Sequence, residues 1–110
     1  MEPDLRQEGK YTVIREIPVC LAFGIVGRPS AQIKRESEKF PGEIILSNSE
    51  GTTSGRDLVG VLSLGAYRDS KINLLVENVL GVDSEKVARR FYAGLTSYGG
   101  VMEFDRTVLA

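Results

Sequence analysis

The chain has no histidine, no tryptophan and a single cysteine in 110 residues. The missing histidine excludes most. Ser-His-Asp and Cys-His sites need an imidazole base, most zinc sites need an imidazole ligand, and no phosphohistidine can form. One cysteine, Cys20, permits neither an internal disulfide nor a thiolate-rich metal site, and suits a reducing compartment. It lies in the apolar stretch "REIPVCLAF" and reads either as an inert strand residue, the simpler reading, or as a reactive thiol. No metal and no cofactor are expected. No apolar run approaches the roughly 20 residues that span a bilayer, and "MEPDLRQEGK" carries acid where a signal peptide carries base, so the expectation is a cytoplasmic protein without a membrane partner. Charge of one sign is also lacking: 14 Lys and Arg stand against 15 Asp and Glu. That balance supplies no bulk field for nucleic acid.

What is present fits one small domain. Residues 1–10, polar and carrying Pro3 and Gly9, are expected to be a flexible lead-in, residues 11–99 the domain, and residues 100–110 a tail. "YTVIREIPVCL" has strand composition, with Pro18 hinting at an edge or bulge. "RPSAQIKRESEKF" starts with Pro29 where a missing N–H costs nothing, and places Ala31, Ile33, Ser37 and Phe40 as inward positions of a first helix. "EIILSNS" and "GTTSG" read as a hairpin turning near Glu50 and Gly51. Asp57 precedes a short second helix, "LVGVLSLGA", that Gly65 stops. "KINLLVENV" reads as a strand. A third helix follows, with Asp83 or Ser84 as N-cap, Val87, Phe91, Leu95 and Tyr98 along one face, and Gly99 and Gly100 as terminator. This order predicts an α+β domain with helices on one face of a mainly antiparallel sheet. The tail, "VMEFDRTVLA", has the apolar spacing of an extra strand, a docking tail or a partner-binding segment.

Two stretches carry a resemblance. "GIVGRPSAQI", residues 24–33, resembles the active-site segment of the HPr family, the histidine-containing phosphocarriers of the bacterial sugar phosphotransferase system. "RDLVGVLSLGA", residues 56–66, is similar to that family's short helix, and the two lie at the family's separation. The resemblance covers roughly residues 11–98 and implies an open-faced β-sandwich, a four-stranded antiparallel sheet with three helices on one face. It also implies two losses. Val26 stands where the family has its phosphorylated histidine, with Gly27 after it, and Asp57 stands where many relatives have a regulatory serine.

A histidine serves there because its nitrogen accepts a phosphoryl group while an arginine and helix N-terminal N–H groups hold the phosphate oxygens. Val26 cannot bond to phosphorus. Gly27, Arg28, Pro29 and Ser30 keep the frame of an anion or partner site, although Arg28 also reads as a solvated arginine and Pro29 as a helix starter. Val26, with Ala22, Phe23 and Ile25, is expected to form a small apolar patch. Asp57 is a helix cap, a partial mimic of phosphoserine, or both. The resemblance implies a docking face on the first two helices, with Arg28, Lys34, Arg35 and Lys39 against Glu36 and Glu38, and apolar Leu58, Val59 and Leu62. The expected function is a regulatory or partner-binding module, its partners phosphotransferase enzymes or a transcription regulator. Alternatives are a phosphocarrier using Ser30, Asp57 or Cys20, and an oligomeric role through the tail.

Overall fold

In the computed structural model, which describes residues 2–104, five strands and three helices follow in the order β1 (Leu5–Glu8), β2 (Tyr11–Pro18), α1 (Gly27–Lys39), β3 (Ile44–Asn48), β4 (Gly51–Ser54), α2 (Leu58–Ser63), β5 (Lys71–Glu77) and α3 (Ser84–Leu95). The strands form one sheet in the order β1-β2-β5-β3-β4, and every neighbouring pair is antiparallel. Alternation along β5 sends Ile72, Leu74 and Val76 to one face, where they meet Ile14, Ile17, Ile44 and Leu46 in one buried cluster with Ile33, Val61, Ala88, Phe91 and Leu95 of the helices. The result is an α+β open antiparallel sheet with three helices, as expected. Among the described residues, no helix is long and apolar enough to cross a membrane.

The sheet has five strands, not four. Leu5–Glu8 is a strand, whereas residues 1–10 were expected as a flexible lead-in. Its pairing is polar: Leu5 alone packs on the core, and Gln7, Thr12 and Asn78 close a ring of side-chain hydrogen bonds at 2.7–2.8 Å. Gly9, at φ +58°, makes the turn into β2. Across the same hairpin Arg15 bonds the Glu8 carboxylate, which holds that carboxyl below its usual range. A register shift between Ile14 and Ile17, with Glu16 at φ +56°, returns both isoleucines to the core, so the irregularity in β2 falls before Pro18 and not at it.

Three further expectations change. In α1, Pro29, Ser30, Ile33 and Ser37 are buried and Ala31 is exposed, because the inward stripe runs one position earlier than expected in the first turn. The third helix ends at Leu95, before Gly99: the Thr96 hydroxyl donates to Tyr92 O and the Ser97 hydroxyl to Ala93 O, which satisfies the last carbonyls, and Tyr98 is left exposed. Cys20 lies just beyond β2 and is half-buried, not within a strand.

The tail expectation divides. Residues 105–110 lie outside the described residues. Met102 is buried, its N–H donating to Gln32 Oε1 at 2.9 Å while Gln32 Nε2 donates to Met102 O at 3.0 Å. Phe104 meets the Phe91 ring edge-on at 5.9 Å between centroids. The first part of the tail thus docks on the chain's own α1 and α3.

Candidate functional site

The loop from Val19 to Val26 is held on two sides by its backbone. Cys20 N donates to Leu95 O at 3.0 Å and Ala22 N to Gly99 O at 3.0 Å, tying it to the end of α3. Ile25 N donates to Ala66 O at 2.8 Å, tying it to the loop after α2. Gly24 is required at that joint: it sits at φ +76°, and a Cβ there would lie 2.5 Å from Ala66 O. Ile25 is thereby buried in the core, which removes it from the apolar patch assigned to it by sequence. Phe23 and Val26 remain outside, 77% and 48% exposed.

Val26 is the N-cap residue of α1, in extended conformation and with no side-chain hydrogen bond to the helix. The first turn also carries no acidic residue. Uncapped N–H groups and the positive end of the helix dipole therefore lie beside Val26 without a carboxylate to answer them. Arg28 is exposed and forms no ion pair among the described residues. Gly27 is exposed at φ +46°, and Pro29 is buried. Ser30 turns inward: it is 1% exposed, and its hydroxyl donates to Gly27 O at 2.6 Å.

Asp57 caps α2, its Oδ1 accepting from Gly60 N at 3.0 Å. It does not join Val26. The loop carrying Val26 is tied to the residues after α2, whereas Asp57 begins that helix, so its length of about 9 Å separates them. Leu58, Val59 and Leu62 lie between, spaced three and four apart on one helix face and 36%, 72% and 43% exposed. Val61 and Leu64 point into the core instead. The structure therefore presents one apolar surface running from Phe23 and Val26 along α2.

Two residues went unread in the sequence. Tyr67, 70% exposed, adjoins Ala66 at the loop joint and extends the apolar surface; its position one residue after a glycine stop was the available signal. Arg56 reaches back to the end of α1, donating to Ser37 O at 3.1 Å, Phe40 O at 2.6 Å and Gly42 O at 3.2 Å. Only tertiary structure brings those carbonyls to it. The basic face expected on α1 is also smaller than its sequence count. Lys34 pairs with Glu38 at 2.6 Å and Lys39 with Glu36 at 3.3 Å, which leaves Arg28 and Arg35 as its uncompensated charges among the described residues.

Comparison with known proteins agrees with this geometry. Among curated proteins nothing matches the chain. Among solved structures it is similar to the phosphocarrier protein HPr from Bacillus anthracis str. Ames, with TM-score 0.64 and 24% identity over 74% of this chain and 94% of that one. It is also similar to HPr-C-His from Thermoanaerobacter tengcongensis, with TM-score 0.55 and 23% identity over 74% and 84% of the two chains. At such identities the likeness concerns the fold. The family model described as "PTS HPr component phosphorylation site" matches residues 13–93, a span that contains the loop, α1, α2 and most of α3. The chain belongs to the HPr family of the phosphotransferase system.

Proposed function

We propose that this chain is a partner-binding, regulatory member of the HPr family that carries no phosphoryl group itself. One observation carries the reading: the residue at the N-cap of α1, where the family's phosphorylated histidine aligns, is Val26, a half-exposed side chain with no nucleophilic atom. The other acceptors considered are poorly placed to replace it. Ser30 is buried with its hydroxyl engaged, Asp57 Oδ1 caps α2, and the Cys20 sulfur lies 3.7 Å from Pro18 O on the far side of the loop in sequence.

The surface suits binding better than chemistry. Phe23, Val26, Val59, Leu62 and Tyr67 offer exposed apolar area, with Arg28 beside an uncapped helix end. An apolar centre flanked by a cation fits a protein partner that brings apolar side chains and a carboxylate or phosphate. Phosphotransferase enzymes or a transcription regulator in the cytoplasm are the partners proposed.

Incubation with phosphoenolpyruvate and the family's upstream enzyme, followed by intact mass measurement, tests this. The chain is expected to keep its mass while Val26→His gains one phosphate. A phosphate on the unaltered chain would overturn the proposal.

A further inference from the structure

Between α1 and α3, on the side of the helices away from the Phe23–Val26 loop, lies an apolar groove of about 340 Å³. Phe40, Val82, Val87 and Phe91 form its walls. Arg90 and Glu36 cross its rim in an ion pair of 2.8 Å whose side chains are only 14% and 13% exposed. Arg90 Nε is buried and has no hydrogen-bond partner among the described residues. A buried guanidinium N–H without an acceptor is costly, so the groove is unfinished in both apolar cover and charge.

The chain itself leads into it. Met102 sits beside Gln32 of α1 and Gly94 of α3, and Phe104 sits beside Phe91 and Arg90, one helical turn nearer the start of α3. The segment thus runs antiparallel to α3 along the seam of the two helices. The next residues in that direction meet the groove. Val108 and Leu109 follow Phe104 by four and five residues, a reach of roughly 13–17 Å in extended chain. From Phe91 to the first turn of α3 is about 10 Å. Asp105 follows Phe104, whose ring lies 5.1 Å from the Arg90 guanidinium carbon.

We propose that the groove between α1 and α3 is the seat of this chain's own residues 105–109, with the Asp105 carboxylate accepting from Arg90 Nε and Val108 and Leu109 covering Val87 and Phe91. The first part of the tail is then an anchor, and the second a strap that completes the helical layer. The strap requires nothing of Val26 or α2, so it stands apart from the partner-binding reading.

Methyl and side-chain NMR on the full chain, on a chain ending at Phe104, and on full-length Val108→Ser/Leu109→Ser distinguishes the possible occupants. In the full chain, Val108 and Leu109 methyls are expected to show contacts to Val87 and Phe91, and both altered chains to shift the Val82 and Val87 methyls alike. Asp105→Asn is expected to move the Arg90 Nε resonance. Groove resonances identical in all three chains would refute the strap. So would contacts seen only between labelled and unlabelled chains in a mixed sample, because the occupant would then be a second copy. The serine variant guards against a deletion that merely unfolds the protein, since it leaves the anchor residues Met102 and Phe104 intact.

Discussion

At position 26 a valine and a histidine differ in one property that decides phosphotransfer: the imidazole offers a lone pair to phosphorus and the isopropyl group offers none. The backbone around it is indifferent to the exchange, because the loop is fixed by Gly24, by the Ile25 N–H to Ala66 and by the helix that follows. Asp57 presents the converse case, in which charge and structure are joined in one side chain. Its Oδ1 accepts from Gly60 N, and asparagine offers an equivalent oxygen without the charge. Asp57→Asn is therefore expected to leave unfolding in urea nearly unchanged. Asp57→Ala is expected to lose about 1 kcal/mol, the usual cost of removing a cap. If both substitutions cost the same, the negative charge beside the helix end, and not the cap bond, is what stabilises α2.

An equally local contact governs a whole element at the other end of α1. The last carbonyls of a helix need donors, and here Arg56 supplies them from the start of α2, one guanidinium meeting three carbonyls. Arg56→Met keeps the aliphatic stem and removes the donors, so a loss of about 1.5–3 kcal/mol is expected in a denaturant titration. Arg56→Lys should recover only part of it, since an ammonium lacks the planar fork. Contacts of this kind mark where the sequence stopped being readable. The helix starts at Asp57 and Asp83, the hairpin turning near Glu50 and the period-two pattern of β5 all follow from neighbours in the chain, and they were legible. β1 was not, because its sequence, "LRQE", has no apolar alternation and owes its place to β2 and to the Gln7, Thr12 and Asn78 ring. The end of α3 was misplaced because Thr96 and Ser97 close it by side-chain bonds before the glycines are reached. The site divides in the same way. Val26, Asp57 and the face of α2 were read from motif and spacing, whereas Tyr67 and Arg56 required the folded chain.

Across the whole molecule the apolar surface near α2 sits at one end of the helical layer, while the tail docks along the seam between α1 and α3. Binding and stability are thus carried by different residues and can be changed separately. Val59 is 72% exposed, so a charge there costs the fold little, within about 0.5 kcal/mol for a surface site. At the centre of a docking surface the same charge would be buried without a partner on binding, and a tenfold loss of affinity corresponds to about 1.4 kcal/mol. Val59→Asp is expected to weaken binding to the family's upstream enzyme at least tenfold in a titration of the isotope-labelled chain, with the thermal midpoint preserved. Leu80→Asp is the matched control, since Leu80 is fully exposed in the loop between β5 and α3 and outside the proposed surface. Equal affinities for both variants would move the partner site away from α2, and equal losses would show that added negative charge anywhere on the molecule repels the enzyme.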